Sequence, residues 1–167
     1  MPDPGLSYTH MNSPAGRLLL AGNAEALHFL SFPSGHKAFG PKSAWQPDDA
    51  PFKEVKRQLA AYFAGALQRF DLPLVLTGTD FQKQVWNTLQ TIPFGETRSY
   101  GWLAREIGRP TASRAVGAAN GANPIPIIIP CHRVIGTNGA LTGFGGGIET
   151  KKFLLDLEDA PAARRAS

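Results

Sequence analysis

The chain has 167 residues, 43% of them hydrophobic and 18% charged, with a net charge of +4 from 17 Lys and Arg against 13 Asp and Glu. That length fits one domain or two small ones, the apolar share can fill a core, and the low charge excludes disorder over most of the chain. A single cysteine excludes an internal disulfide and a zinc site built on cysteine pairs, and no apolar run reaches the ~20 residues that span a bilayer. Residues 1–14 lack a charged-then-apolar signal pattern, and a lone thiol suits a reducing cytoplasm, the expected location.

In chain order, residues 6–11, 17–21 and 26–32 are apolar-rich and separated by Ser13-Pro14, Gly16 and Gly22-Asn23, which predicts three short strands. A loop rich in Gly, Pro and Lys is expected over 33–51. Phe52, Val55, Leu59, Tyr62, Phe63 and Leu67 then share one helical face, with Pro51 in the first turn. Strands covered by one helix make a small α/β module. The extended, proline-containing stretch 72–78 sets the expected boundary: an N-terminal module over 1–76, a C-terminal domain over 77–160, and a disordered tail over 161–167.

Thr79 and Gln82 have capping-box spacing and start a helix that buries Phe81, Val85 and Leu89, with Trp86 beside them. Pro93 and Gly95 end it. Ser99 offers an N-cap for a helix over 100–107, closed by Gly108. After the turn Arg109-Pro110-Thr111 a second short helix is expected over 112–119. The pair has the outline of a helix-turn-helix, so the fold class is α+β with a mostly helical second domain.

The second of these helices carries almost only small side chains, including Ser113, Ala115 and Gly117. Either it packs tightly on a neighbouring helix, or it offers a shallow docking face for DNA with Arg114 as its one long projection. Gly117 costs a helix up to ~1 kcal/mol relative to Ala, a cost that close approach would explain. From Arg98 to Arg133 five arginines (98, 105, 109, 114 and 133) stand against one acid, Glu106. Such an excess follows a phosphate backbone or is a solvated basic surface.

Pro124, Pro126 and Pro130 frame an isoleucine run that reads as a buried strand or extended core segment, away from the centre of a sheet. Cys131 emerges from it. A lone cysteine in apolar surroundings is usually a small buried hydrophobe. A nucleophilic one needs a base or a positive environment, and His132 and Arg133 follow at once. Adjacent strand residues point to opposite faces, so either the chain turns at Cys131 or a water carries its proton. His10, His28 and His36 lie in the first module with nothing local to support them. The triple glycine 145–147 lacks a nucleotide-loop signature and reads as a mobile loop capped by Phe144, which would wall a pocket. A last helix is expected over 149–158, with Phe153, Leu154 and Leu157 inward.

Pro130-Cys131-His132-Arg133-Val134, preceded by Asn123-Pro124 and Arg114-Ala115-Val116-Gly117, resembles the methylated-DNA–protein-cysteine methyltransferases, also called O6-alkylguanine-DNA alkyltransferases. Ser13-Pro14-Ala15-Gly16 and Ala61-Tyr62-Phe63 resemble the same family in the first module. The resemblance implies a ribonuclease-H-like N-terminal module and a C-terminal domain with a (winged) helix-turn-helix that docks in the minor groove and flips the damaged base. It implies irreversible, single-turnover transfer of an alkyl group from O6-alkylguanine, and also O4-alkylthymine, in double-stranded DNA to Cys131. No cofactor or metal is expected. The protein would be a monomer, with clustering on DNA left open.

By the same resemblance His132 and Glu158 complete a Glu–His–water–Cys relay. Asn123 braces the turn before the cysteine, and Tyr100 helps rotate the nucleotide and hydrogen-bonds the guanine. Arg114 fills the gap in the base stack, with Ser113, Ala115 and Gly117 against the DNA. Val134, Phe144, Gly145, Gly146, Lys151, Pro126 and Asn120 line the pocket, Lys151 orienting Tyr100, and the carbonyls of Cys131 and Val134 read the guanine amino group. Two departures concern the alkyl preference: many members carry Tyr in place of Phe144, and animal members carry Met in place of Asn120. Damage-binding relatives that do not catalyse transfer commonly have Trp where Cys131 stands. A cysteine hydrolase unrelated to DNA is disfavoured by the adjacent histidine and the helix-turn-helix.

Overall fold

The computed structural model describes residues 5–35, 38–136, 144 and 146–159. The expected tail over 161–167 and the pocket residue Gly145, the first of the triple glycine, lie outside the described residues.

Strands β1 (Ser7–Ser13) and β2 (Gly16–Gly22) form an antiparallel hairpin that pairs Ser13 with Gly16. Ser13 Oγ closes the turn by accepting from the Ala15 N–H at 3.1 Å and donating to the Gly16 carbonyl at 2.7 Å. β3 (Leu27–Ser31) pairs with β2, and a two-residue β4 (Gln46–Pro47) runs parallel to β1, giving the order β3-β2-β1-β4. Alternation along β2 explains why five of its residues are buried: Leu18 and Leu20 face the main core, while Leu19 and Ala21 pack with Leu6 and Trp45 on the other face. The stretch expected as a plain loop over 33–51 therefore covers a sheet face, with Trp45 stacked on Phe29 at 5.6 Å.

A short 3-10 turn (Ala50–Phe52) leads into α1 (Lys53–Phe63), whose Val55, Leu59 and Tyr62 are buried. The helix ends before Leu67, because Gly65 takes the left-handed conformation (φ 77°). Residues 72–76 return to the sheet: the Leu27 N–H donates to the Pro73 carbonyl and the Val75 N–H to the Leu27 carbonyl, each at 3.0 Å.

α2 (Asp80–Leu89) starts at the capping box, both of whose hydrogen bonds form, at 3.0 and 3.1 Å. Ser99, at the end of the two-residue β5 (Arg98–Ser99), caps α3 (Tyr100–Glu106) by accepting from the Trp102 N–H at 3.0 Å. α4 (Ser113–Gly121) follows, tied to α2 by the Trp86 indole N–H on the Ala119 carbonyl at 2.8 Å. β6 (Val134–Ile135) pairs in parallel with β5, and α5 (Ile148–Leu157) closes the described fold. One continuous apolar cluster runs from Leu18 through Tyr62, Trp86 and Val116 to Leu154, so the two halves share a core.

The small-residue helix α4 has two faces. Val116, Ala119 and Asn120 are buried, whereas Ser113, Arg114 and Ala115 are exposed. A Cβ added at Gly117 would lie 3.9 Å from the Tyr100 ring, an ordinary contact, so packing does not require glycine there. Of the two kinds of close approach left open by the sequence, packing on a neighbouring helix does not account for Gly117. Gly117→Ala should therefore raise stability, by up to about 1 kcal/mol, read from the urea unfolding midpoint.

Candidate active site

The isoleucine run is not a strand. Asn123 brackets it, its Nδ2 donating to the Ile129 carbonyl at 2.7 Å while its Oδ1 accepts from the Ile125 N–H at 2.9 Å. Between these points the chain doubles back, with the Ile129 N–H on the Ile125 carbonyl at 2.9 Å and Ile127 at φ 73°. β-Branched side chains favour an extended backbone, but here the burial of Ile125, Ile127 and Ile129 in the core and the Asn123 bracket decide the path.

Pro130 delivers the chain into a 3-10 turn, Cys131–Arg133. Of the two alternatives left by the sequence, the chain does turn at Cys131. The turn separates the three side chains. Cys131 lines a cavity of about 40 Å³, while His132 and Arg133 reach the C-terminal end of α5.

There Glu158, the residue capping α5, receives the Tyr62 hydroxyl on Oε2 at 2.5 Å, His132 Nε2 on Oε2 at 2.7 Å, Arg133 Nε on Oε1 at 2.8 Å and Arg133 Nη2 on Oε2 at 3.0 Å. The Gly95 N–H reaches Oε1 at 3.2 Å. Burial works against the carboxylate, yet the hydrogen bonds from His132 and Arg133 and the charge of Arg133 outweigh it and hold its pKa well below the ordinary 4.5. Burial also lowers the pKa of His132 from 6.5, against the pull of Glu158, which keeps the imidazole neutral. Arg133 Nη1 donates to the Ile92 carbonyl at 2.7 Å and the side chain is buried. Arg133 is therefore structural and does not belong to a phosphate-facing basic stretch. Of the other four arginines, Arg98 pairs with Glu96 at 2.8 Å, and Arg105, Arg109 and Arg114 are exposed.

Cys131 is 4% exposed. Burial pushes its thiol up to about 11, with a hydrogen bond from Asn123 and the charge of Lys151 pulling the other way. The resting sulfur is thus a protonated thiol. Lys151 is fully buried, and its Nζ donates to the Val134 carbonyl at 2.6 Å. Burial draws its pKa down to about 8. Asn120 Nδ2 donates to the Cys131 carbonyl at 3.4 Å. Both carbonyls expected to read a guanine amino group are therefore engaged by side chains of this chain.

The structure brings together Cys131, His132, Glu158, Asn123, Asn120 and Lys151, and sets Pro126, Phe144 and Gly146 on the cavity wall. Tyr100 opens α3 beside Gly117, and the exposed Ser113, Arg114 and Ala115 lie at the start of the helix whose far end, Asn120 and Gly121, lines the cavity. Sequence reasoning gave Tyr62 only a packing role and did not connect Gly95, or the corner around Phe32 and Phe39, with the site. Only a three-dimensional contact joins Tyr62 to a residue 96 positions away.

These features define a two-part α+β protein that sets a lone cysteine in a cavity at the foot of a helix-turn-helix. A family model described as the 6-O-methylguanine DNA methyltransferase DNA-binding domain matches residues 80–160, and one for that family's ribonuclease-like domain matches residues 6–76. A methylated-DNA–protein-cysteine methyltransferase of Methanosarcina acetivorans is 54% identical over 151 residues, 90% of this chain and 97% of its own. The crystal structure of Mycobacterium tuberculosis OGT in complex with DNA is 53% identical, with a TM-score of 0.87 over 94% of this chain and 96% of that one. The O6-methylguanine-DNA methyltransferase of Pyrococcus kodakaraensis, 26% identical, gives a TM-score of 0.61 over 92% and 98%. The chain belongs to the 6-O-methylguanine DNA methyltransferase family.

Both shifts at the buried cluster make acid destabilising. The contribution of His132 is fully present above 6.5 and is lost as pH falls below it; that of Glu158 is present above 4.5 and lost below. Urea midpoints should fall in that order on acidification. Tyr62→Phe should cost about 1.5–3 kcal/mol at neutral pH, the scale of a hydrogen bond to a charged group, measured in the same assay.

Proposed function

We propose that this protein repairs DNA by transferring an alkyl group, foremost methyl, from O6 of guanine to Cys131 in one irreversible turnover, with O4-alkylthymine as a second substrate. The observation that carries the reading is the placement of Cys131: a buried thiol on a cavity wall, one turn of chain from a His–Glu pair and beside the far end of the exposed α4 helix. In the M. tuberculosis relative the partner is DNA.

A sulfur 4% exposed cannot meet a base still stacked in a duplex, so the nucleotide leaves the stack to react. That costs a few kcal/mol, less for a mispaired lesion. Arg114, projecting from α4 with Ser113, Ala115 and Gly117 around it, fills the gap, and Tyr100 at the start of α3 guides the turning nucleotide.

Chemically, the Cys131 sulfur forms a bond to the alkyl carbon as the carbon–O6 bond breaks. The thiol proton passes through a water to His132 Nδ1, the ring nitrogen turned away from Glu158 and without a hydrogen-bond partner among the described residues. Glu158, kept ionised by Arg133, steadies the imidazolium that forms. A proton returned through a donor such as Tyr100 leaves neutral guanine. The thioether has no leaving group that would regenerate the thiol, so one molecule acts once.

Mass spectrometry after mixing with a duplex carrying O6-methylguanine should find one added methyl per protein, on Cys131, and none in Cys131→Ala; continued turnover would overturn the reading. Without DNA, alkylation of Cys131 by iodoacetamide should be slow at neutral pH. Its rate should climb about ten-fold per pH unit toward the thiol pKa of about 11.

A further inference from the structure

We propose that the corner following β3, presented by Ala38 and Phe39 and backed by Phe32, sets the size of alkyl group that reaches Cys131. The proposal rests on the alkyl-transfer reading above and names a specificity determinant for it in the N-terminal module.

The cavity has two walls. One belongs to the C-terminal half and holds Cys131, Asn120, Asn123 and Phe144; the other is Leu30, Ser31, Phe32, Ala38 and Phe39 from the N-terminal half. At about 40 Å³ the cavity is well below the ~300–1,000 Å³ of ordinary ligand pockets, so its walls must part before a purine with its substituent can enter.

The C-terminal wall is fixed. Asn123 brackets the isoleucine turn, Asn120 bonds the Cys131 carbonyl, and the Leu30 N–H ties β3 to the Pro124 carbonyl at 2.9 Å. Phe32 is 5% exposed and packs on Phe144 at 5.5 Å between ring centroids. It also lies so close to Gly146 that a Cβ there would come within 2.6 Å of its ring. Phe32 and Phe144 therefore make a rigid back to the cavity.

Phe39 is held differently. It is 37% exposed, sits edge-on to Phe29 at 6.0 Å, and carries Lys42 Nζ 5.4 Å from its ring centroid. Its N–H donates to Ser31 Oγ at 3.1 Å, and Ser31 donates in turn to the Phe32 carbonyl at 3.2 Å. The Ser31 hydroxyl is thus used by the backbone, and what this corner offers the cavity is apolar. An apolar wall chooses among substituents by bulk, and Phe39, edge-on to Phe29 and Trp45 but far more exposed than Phe32 or Phe144, is the ring of this cavity that can yield.

The test compares transfer rates from duplexes carrying O6-methylguanine and O6-benzylguanine, in wild type, Phe39→Ala and Ala38→Leu. The benzyl-to-methyl ratio cancels any loss common to both substrates. Phe39→Ala should raise that ratio ~10-fold or more, and Ala38→Leu should lower it to a similar extent, within the range a hydrophobic pocket discriminates by size. Both positions lie outside the buried core, and a reduced methyl rate in either variant leaves the ratio readable. An unchanged ratio in the two variants overturns the proposal while leaving methyl transfer intact. A wild-type protein that gains no methyl on Cys131 overturns the alkyl-transfer reading instead, and the proposal with it.

Discussion

A single buried carboxylate organises this molecule. Glu158 gathers a phenol from α1, an imidazole and a guanidinium from the turn at Cys131, and a backbone N–H from the loop after α2. Removing a charge from water costs several kcal/mol, and only a full set of donors offsets it. A carboxylate has about four lone-pair directions, and five donors converge on these two oxygens, so the acceptor capacity is filled. Because the donors come from segments far apart in the chain, the same contact joins the two halves and orients the histidine beside the cysteine. Fold and chemistry meet in one group of atoms.

That arrangement makes the cysteine quiet at rest. Burial favours the neutral thiol, and the opposing influences of Asn123 and Lys151 do not reverse it. A protonated sulfur so deeply buried is shielded from small electrophiles and oxidants, which react with exposed thiolates. On the proposed reading, reactivity then depends on the water-borne path that carries the thiol proton to His132 Nδ1. The N-terminal module takes part in this control, because its β3 corner forms half of the cavity and its Tyr62 supports Glu158.

The sequence was most legible where local chemistry governs. The Thr79–Gln82 capping box, the Ser99 cap and the hairpin turn at Ser13 depend on residues a few positions apart and form as their patterns predict, while the apolar stripe of α1 forms as far as Tyr62 and stops short of Leu67. The Cys131-His132-Arg133 motif pointed to the site because its residue types are chemically unusual together. Long-range competition defeated the other readings. Three β-branched residues in a row favour a strand, but prolines and the Asn123 bracket fold them back. Arg133 counted as surface charge until its partner, 25 residues on, came into view. The stretch over 33–51 looked like a connector because its packing partner, the far face of the sheet, is invisible to periodicity.

Ile127 stores strain next to the site. A β-branched residue at φ 73° is held in a conformation it would leave if free, at a strain on the order of 1–3 kcal/mol. The Asn123 bracket and the surrounding core hold it there, four residues before the reactive sulfur. The loop behaves as a latch kept shut by its neighbours. Those neighbours belong to the buried core shared by both halves, so the latch opens only when that core gives way, and heat should silence the protein and melt it in a single step.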